Sequence, residues 1–528
     1  MHILHTKDAR EYPGLSTIVL DHLTHQKLSL NLQPSLEVKN IKETVCEVVE
    51  EQYRNLNLTL PRGLSKFRED GVKTVTTGHQ LQIAGGPAFL HYKTITAIRL
   101  ARQIEAETGE KVVPVFWMAS EDHDFKEVSW VNGEVDKHVW SSPLADLKWP
   151  VGRLRLEGVK DCLTSWGEDM GQRGKDFQSD FQSISECYDV SQKNNERYSD
   201  LFRRWMHVWY GDTELVVIDA DSPKLKALAS DLFSDEFTAK GIRDSVRKTS
   251  DDLHAKGFKA SAHIRDINLF YMPDGESRVG IIQDELGGFA AGDHTLNKAG
   301  LEWGEWCKDN AEKLSPGALL RPFYQELILP NIRVVLGPGE LSYWKQLEGA
   351  FAYKQMGMPG LHLRDHVLVL DKEMQAHAKE VGWSFEKGWW DENEWVSKWI
   401  EGQLPNKTKE VDVVLSDLQR LIEDVSSLVE QTLKPAASAS ASGMRKIWEA
   451  QQKKMKKAIR RKNPDKINAI SLSASKICRK NSPQDRFMNF HHLASQFGGF
   501  HTLRDRLINA EVPPMTLTSS FMHIVEEE

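Results

Sequence analysis

Residues 72–128 contain a strand, a glycine turn, a helix and a second strand in close succession. A short β-branched run at 72–76 is broken by Gly78, and apolar residues at helical spacing then continue to Gly109, where a helix C-cap glycine belongs. Residues 112–117 form an apolar run of the buried-strand type. Because two parallel strands need a crossover helix between them, this unit predicts an α/β protein built on a parallel sheet.

Polar residues follow both strands, at the edge where ligands bind in open α/β sheets. A glycine turn between a strand and a helix can direct backbone N–H groups and a histidine toward a phosphate. The alternative is a tight turn whose histidine is merely solvated. A P-loop and a Gly-x-Gly-x-x-Gly fingerprint are both missing from the sequence. The candidate nucleotide-binding residues are Thr77, Gly78, His79, Gln80 and Gly86.

The second strand ends in an acidic loop, Glu121-Asp122-His123-Asp124. Asp122, His123 and Asp124 are candidate catalytic residues, with His123 as a general base whose pKa a neighbouring carboxylate would raise. Carboxylates could also hold Mg²⁺, whereas zinc is disfavoured because no second histidine sits at ligand spacing. The loop could instead cap a helix through Asp122 or Asp124, or form a surface charge cluster. The metal therefore stays undetermined.

A second strand–glycine turn–helix follows at residues 332–351. Glu340 and Tyr343 could contact a substrate there, or Glu340 could simply favour the positive end of its helix. Arginine and glutamine side chains nearby suit carboxylate or phosphate recognition, or salt bridges between domains. The candidate substrate-binding residues are Arg321, Gln325, Gly339, Glu340, Tyr343 and Arg364.

Composition excludes several classes of protein. The net charge of −8 disfavours nucleic acid as a partner, and no stretch has the roughly 20 uninterrupted apolar residues of a membrane span. The N-terminus lacks the layout of a signal peptide. Five cysteines lie far apart with no Cys-x-x-Cys pair. These features predict a reduced, cytoplasmic enzyme.

At 528 residues the chain predicts more than one domain. Apolar residues between 411 and 429 alternate by four and three, as in a coiled coil, at Val411, Leu415, Leu418, Ile422, Val425 and Val429. A basic helix at 444–462 would complete an antiparallel hairpin. Its basic side chains are more typical of the solvated face of a coiled coil than of a nucleic-acid or anion contact. The predicted segments are 1–70 (helical), 71–165 (first half of the core), 166–210 (helical insertion), 211–370 (second half, with a β-hairpin insertion), 371–465 (coiled-coil arm) and 466–528 (helices and a final strand at 515–525).

Several motifs together resemble one family across residues 70–508. They are TTGHQ…GGPAF…YK, VVPVFWMASEDHDFKEV, LSPGALLRPFYQELILPN, LGPGELSYWKQLEGAF…MPGLHLR and the imperfect SPQDRFMNF. The chain is similar to the BshC family, the proposed cysteine ligase of bacillithiol biosynthesis. Many members read Gly-Gln-Gln where this chain has Gly78-His79-Gln80.

The resemblance implies a Rossmann-like core related to nucleotidyltransferases and class I aminoacyl-tRNA synthetases, with inserted connecting segments and a coiled-coil arm that forms a homodimer. It implies a reaction that joins cysteine to glucosaminyl-malate, with ATP activating the cysteine carboxylate as an acyl-adenylate and Mg²⁺ as an optional cofactor. His79 and Gln80 would face the nucleotide. Residues 122–124 would face the reacting groups, and Glu340, Tyr343 and Arg364 the sugar-malate.

Two other functions are compatible with the sequence. A nucleotidyltransferase or synthetase-like RNA-binding protein would use the basic helix as its RNA contact. A non-catalytic dimeric scaffold would need only the coiled coil. The polar residues at the strand ends favour the enzyme.

Overall fold

The structure is a computed structural model that describes residues 2–25, 39–134, 136–259, 262–273, 277–285, 287–296, 302–510 and 520–526. The chain divides into two compact units. One consists of Leu4–Val369 and Asp485–Ile524, and the other of Met1–Ile3, Leu370–Gln484 and Val525–Glu528. The six predicted segments divide the chain more finely, and their boundaries stay a prediction.

The larger unit is organised on a five-stranded parallel sheet. Its strands are β1 (Lys73–His79), β2 (Val112–Met118), β3 (Val216–Asp219), β4 (Asn331–Leu336) and β5 (Gly360–Leu363). Their spatial order is β3-β2-β1-β4-β5, and every pairing is parallel. The chain thus runs outward from β1 in one direction and from β4 in the other, which places a topological switch point between β1 and β4. The predicted Rossmann-like α/β fold is confirmed.

Local sequence explains the first crossover. All seven residues of β2 are buried, because helices cover both faces of a parallel sheet. Helix α1 (Phe89–Thr108) ends where Gly109 adopts the left-handed conformation, with φ of 72°. In the turn before α1, Gly86 has φ of 54°, and a Cβ there would lie 2.5 Å from the Gln82 Cβ. Glycine is therefore required at this turn for both conformation and space.

The remaining elements of this unit surround the sheet. Its other helices of five or more residues are Thr17–His25, Lys39–Arg54, Gly63–Phe67, Val159–Asp169, Lys175–Lys193, Tyr198–Tyr210, Pro223–Leu228, Ser230–Thr238, Gly241–Ala255, Trp303–Asp309, Arg321–Ile328, Pro338–Trp344, Glu348–Tyr353, Phe490–Ala494 and Phe500–Ile508. Short strands are Trp130–Asn132, Lys137–Val139, Leu269–Tyr271, Val279–Gly280, Ile282–Gln283, Phe289–Ala291, His294–Thr295 and Leu314–Pro316. Leu269–Tyr271 and Val279–Gly280 pair antiparallel, as the predicted hairpin requires; residues 274–276 lie outside the described parts.

The N-terminal segment differs from the prediction of a helical region. It begins with a strand, His2–Asp8, which joins a three-stranded sheet with Ser520–Glu526 and His366–Leu370. The partners of this strand are hundreds of residues away, so local periodicity could not reveal the pairing. The predicted final strand at 515–525 corresponds to Ser520–Glu526, while residues 511–519 lie outside the described parts.

The second unit is mainly helical, with helices Lys372–Val381, Glu392–Gly402, Lys407–Val429, Lys434–Lys462 and Pro464–Ile477. Trp448 donates to Asp412 and Arg445 to Ser416, so the two long helices run antiparallel. The predicted helical arm is confirmed. Its second helix starts earlier than the predicted 444, because the small side chains of Ala437 and Ala441 are buried and let the helix begin ten residues sooner.

The heptad prediction for the first long helix is only partly right. Val411, Leu415 and Ile422 are half-buried, whereas Val425 and Val429 are exposed. The helices described here include none long and apolar enough to span a membrane.

We expect Gly109→Ala to lower the free energy of unfolding by about 1 kcal/mol, since an L-residue is strained at this φ. No atom lies within 4 Å of the added Cβ, so the effect would come from the backbone alone. Gly304→Ala, inside helix Trp303–Asp309, is the control and should cause no loss. Urea unfolding followed by tryptophan fluorescence measures the free energy of unfolding of both variants. Equal losses in the two variants would contradict the backbone strain assigned to position 109.

Candidate functional site

A cavity of about 620 Å³ lies at the carboxyl ends of the central strands, at the switch point. Gly78 and His79 at the carboxyl end of β1 and Gln80 directly after it line the cavity, together with Glu121 and Asp122 after β2. Other parts of its wall come from the turn after β4 and from the residue after β5. These are Gly337, Pro338, Gly339, Glu340, Tyr343 and Arg364. The two predicted polar segments therefore share one cleft.

An ion pair joins α1 and the carboxyl end of β1 to helix Pro338–Trp344, which follows β4. Lys93 of α1, whose side chain is 2% exposed, donates to the Gly78 carbonyl at 2.5 Å and to Glu340 Oε2 at 2.7 Å. Glu340 also accepts from the Gly337 N–H at 2.8 Å. Burial alone would raise the pKa of Glu340, but the attraction of Lys93 and His79 outweighs it and lowers the pKa. Glu340 thus serves the structure of this turn and is already engaged by a cation.

His79 lies in the wall of the cavity with its ring edge-on to Phe89, at 5.0 Å between centroids. Burial, and then the neighbouring Lys93, lower the pKa of His79 to about 4. The imidazole is therefore neutral at pH 7. It can exchange hydrogen bonds with a ligand but adds no positive charge to the cleft.

Two candidate nucleotide residues lie outside the residues that line this cavity. Thr77 donates through Oγ1 to the Val335 carbonyl at 3.0 Å and so joins β1 to β4. Gly86 is buried, and its carbonyl accepts from Asn489 Nδ2 at 2.9 Å. Both positions support the turn from within the fold.

The acidic loop is tied to the turn after β1. Gln80 Nε2 donates to Asp122 Oδ2 at 3.0 Å and to Glu127 Oε2 at 2.7 Å. Burial, together with Asp122 and Asp124, raises the pKa of Glu127. Asp124 is exposed and caps helix Phe125–Val128 by accepting the Glu127 N–H, which is the structural alternative that the sequence had left open. Asp122 and Glu127 therefore line the cleft together with Glu121, which is paired with Lys226.

His123 does not have the raised pKa that its acidic neighbours predicted. Burial and the Arg278 guanidinium, whose Nη1 lies 3.1 Å from His123 Nδ1, lower its pKa. The contact with a cation from a segment 155 residues away outweighs the adjacent carboxylates. His123 is neutral at pH 7 and lies behind Arg278, which itself lines the cavity.

Arg278 is a site residue that the sequence did not indicate. Its guanidinium lies 3.8 Å from the Phe270 ring centroid and donates to Ser315 Oγ and the Pro316 carbonyl. It forms no ion pair with a carboxylate among the described residues. Further polar residues of the wall were also missed, among them Lys93, Glu127, Asn268, His263, Arg265 and Arg486. Of these residues, only Lys93 could have been suggested by the local sequence, because it shares one helical face with Phe89.

The predicted substrate residues on helix Arg321–Ile328 form a hydrogen-bonded group. Arg321 donates to Tyr343 Oη at 3.1 Å and to Gln325 Oε1 at 3.0 Å. Gln325 is 1% exposed and donates in turn to Glu326, so it supports Arg321 from behind the wall. Arg321 forms no ion pair with any residue in the described parts of the chain. Its charge is available to an anion in the cavity.

Arg364, by contrast, is fully engaged. Its Nη2 donates to Asp485 Oδ2 at 2.6 Å and its Nη1 to the Asp365 carbonyl at 2.9 Å, and both partners of the ion pair are buried. Burial would raise the pKa of Asp485, but Arg364 and His366 bring it down to about 2. Arg364 borders the cleft as part of a fixed salt bridge.

The described residues contain no group of three or more histidine, cysteine, aspartate or glutamate side chains placed to hold a metal ion. The carboxylates of the acidic loop point to different partners and do not converge on one position. Glu121 pairs with the buried Lys226 at 2.6 Å, Asp124 caps a helix, and Asp122 faces the cavity.

Fold and cleft define a Rossmann-like protein with a polar ligand site at the switch point of its sheet. Two family descriptions cover the chain: "Bacillithiol biosynthesis BshC, N-terminal Rossmann-like domain" matches residues 21–365, and "Bacillithiol biosynthesis BshC, C-terminal coiled-coil domain" matches residues 367–513. The chain belongs to the BshC family, and the resemblance inferred from its motifs is confirmed.

Relatives in several bacteria carry the name "Putative cysteine ligase BshC". The chain is 26% identical over 498 residues to the Flavobacterium johnsoniae protein, covering 89% of this chain and 90% of that one. It is 25% identical over 476 residues to the Christiangramia forsetii protein, with 87% and 85% covered. For Oceanobacillus iheyensis the identity is 24% over 440 residues, with 81% and 80% covered.

We expect Asp485→Asn to lower the free energy of unfolding at pH 7 by about 3–5 kcal/mol, because Arg364 would be left buried and unpaired. The folded pKa of Asp485, about 2, is below its ordinary value of 3.8. Its stabilising contribution is therefore complete above about pH 4 and is lost as the pH falls toward 2. The difference in free energy of unfolding between wild type and variant should therefore become smaller as the pH falls from about 4 to about 2.

Urea unfolding at several pH values measures this difference. Asp505→Asn is the matched control: Asp505 is half-exposed, and its partner Arg504 keeps a second carboxylate, Asp212. Its cost should stay below about 1 kcal/mol at every pH. If the loss of free energy of unfolding in Asp485→Asn did not change with pH, the negative charge assigned to Asp485 would be contradicted.

Proposed function

We propose that this protein is a ligase that joins the cysteine carboxyl group to the amine of glucosaminyl-malate and so forms bacillithiol, with ATP as the activating co-substrate. The observation that carries the proposal is the composition of the cleft. An unpaired cation, Arg321, and a pair of carboxylates, Asp122 and Glu127, share a cavity of about 620 Å³ at the switch point of a BshC chain.

The residues of the cleft fit a nucleotide. Arg321 offers a guanidinium without a carboxylate partner in the described residues, and Gly339 leaves the backbone open, with no atom within 4 Å of a Cβ placed there. His79, neutral at pH 7, adds a hydrogen-bonding group without charge. ATP would supply a leaving group to a cysteine carboxylate that otherwise resists attack by an amine. Arg321 and the turns at Gly78 and Gly339 would hold its phosphates.

The same cleft fits the amine and the acid groups of the acceptor. An attacking amine must lose a proton, and Glu127, with its raised pKa, lies beside Asp122 to receive it. Arg278 and Arg265 flank Phe270 and suit the carboxylates of malate. Tyr343 accepts a hydrogen bond from Arg321 and also lines the cavity.

Purified protein incubated with cysteine, glucosaminyl-malate and ATP should yield bacillithiol, detected by mass spectrometry, together with AMP and pyrophosphate in equal amounts. Arg321→Met should lower kcat/KM by about 10²-fold, since one charged donor to the developing negative charge is removed. Arg247→Met is the control; this exposed residue pairs only with the exposed Asp266 and should leave the rate unchanged.

Three outcomes would count against parts of the proposal. Bacillithiol formed at the same rate without nucleotide would exclude ATP. Release of ADP and phosphate would exclude adenylation while keeping ATP as activator. If the correctly folded protein forms no product, whichever substrate is added first, the ligase activity would be excluded.

We further propose that the arm forms a homodimer. Helix Lys407–Val429 carries a second apolar stripe at spacings of four and three that its hairpin partner leaves exposed. It comprises Val414 (62% exposed), Leu418 (36%), Leu421 (59%), Val425 (53%) and Leu428 (86%). A heptad stripe of this kind is complementary to a second copy of itself, so a two-fold pairing would cover it.

Leu421→Glu with Val425→Glu should weaken the dimer by at least roughly 10³-fold. Four apolar side chains per dimer would lose burial worth about 1.5 kcal/mol each or more. Sedimentation equilibrium measures the dissociation constant. Ile447→Glu, equally exposed but on the other long helix and off the stripe, is the control and should leave the dimer intact. A monomeric wild-type protein would refute the pairing.

A further inference from the structure

A second cavity, of about 560 Å³, lies in the larger unit apart from the cleft at the strand carboxyl ends. Gly360, the first residue of β5, and Arg333 of β4 form its floor. Helix Thr17–His25 contributes Asp21, His22 and His25, and the segment after Pro338–Trp344 contributes Lys345 and Glu348. Methionine, proline and aromatic side chains complete the wall. The proposed ligase reaction uses none of these residues.

Arg333 is buried without a counter-charge. It is 3% exposed, its Nη1 donates to the Ile332 carbonyl at 2.8 Å, and its Nε has no partner. No carboxylate in the described parts of the chain pairs with it. Arg99 and Arg364 are buried to a similar degree, and each is paired with an aspartate. A buried guanidinium without such a partner is costly, and structures keep one where an anion compensates it.

The strand opposite Arg333 is shaped around the guanidinium. Gly360 is its register partner across β4 and β5, and a Cβ on Gly360 would lie 2.3 Å from Arg333 Nη1. The φ of Gly360 is not in the left-handed region, so the glycine is needed for space and not for conformation. Only a residue without a side chain lets the guanidinium lie over the strand at the base of the cavity.

The other charged groups do not neutralise Arg333. Asp21 lies 3.1 Å from the exposed His25, Glu348 is bound by Lys345, and neither carboxylate forms an ion pair with Arg333. Burial lowers the pKa of His22, and it lowers the pKa of nearby His362 to about 3, so both imidazoles are neutral at pH 7. Both ring nitrogens of His362 lack a hydrogen-bond partner. The cavity wall thus contains one positive charge, that of Arg333, without a paired carboxylate among the described residues. His362, which has unused polar atoms, lies beside the wall and does not line it.

We propose that this cavity binds a small oxyanion, a phosphate or a carboxylate, through the guanidinium of Arg333. Guanidinium groups bind both kinds of oxyanion through paired N–H donors. The apolar wall would contact whatever carbon framework carries the anionic group. The site is independent of the ligase cleft, because none of its lining residues lines that cavity.

Isothermal titration calorimetry on the full-length protein tests the site, with inorganic phosphate and succinate as separate probes. All titrations use the Arg321→Met background, which removes the unpaired cation of the ligase cleft. Arg278 and Arg265 remain in that cleft and can still bind succinate, so the proposed site is the one whose affinity for phosphate or succinate falls at least tenfold when Arg333→Met is added. Arg102→Met, a surface arginine paired with Glu214, is the control and should bind as before. Phosphate alone binding would identify a phosphate ligand; both probes binding would identify a general oxyanion site.

Arg333→Met should also raise the melting temperature in anion-free buffer, because it removes an uncompensated buried charge. Unchanged affinity in Arg333→Met, or no binding of either probe, would overturn the proposal. Wild-type crystals soaked in selenate decide the matter if the variant fails to fold. An anomalous peak within hydrogen-bonding distance of the Arg333 guanidinium would support the site, and its absence there would refute it.

Discussion

The buried ion pair between Lys93 and Glu340 is the contact on which the cleft depends. It joins α1, the first crossover helix, to the helix that follows β4, across the point where the sheet reverses direction. Lys93 also binds the Gly78 carbonyl, so a single ammonium fixes both turns that face the ligand. Lys93 is the buried partner, so removing Glu340 would leave a buried charge, at a cost of about 3–5 kcal/mol. The distance between His79 and Gly339 is therefore a property of the fold rather than of any ligand.

This arrangement explains which parts of the fold the sequence could predict. The β1–α1–β2 unit is local, and its periodicity and the glycine at 109 were sufficient to place it. The order of the strands was not accessible in the same way, because β1 pairs with β4 through residues more than 250 positions apart. The N-terminal strand has the same difficulty, since its neighbour in the sheet comes from the other end of the chain.

The candidate site shows the same division. The cavity wall includes nine of the residues that the sequence suggested, namely Gly78, His79, Gln80, Asp122, Arg321, Gly339, Glu340, Tyr343 and Arg364. Thr77, Gly86, Gln325, His123 and Asp124 lie one step behind it, because a strand alternates its faces and a loop must also cap the next helix. Arg278 was missed because its position against His123 arises only when the hairpin packs on the core. Lys93 was missed because a lysine within a helix usually faces solvent.

Charge pairing separates structural from ligand-binding arginines in this protein. Arg364 and Arg99 are buried with an aspartate each, so their charges are already balanced within the fold. Arg321 and Arg333 both lie against cavities and form no ion pair with a described carboxylate. Nothing in the sequence distinguishes these four arginines, because charge pairing arises only in the folded chain. What distinguishes them is the desolvation cost of an unpaired guanidinium, which a fold retains only where an incoming anion repays it. By this criterion Arg321, and not Arg364, is the candidate substrate-binding arginine whose charge has no carboxylate partner among the described residues.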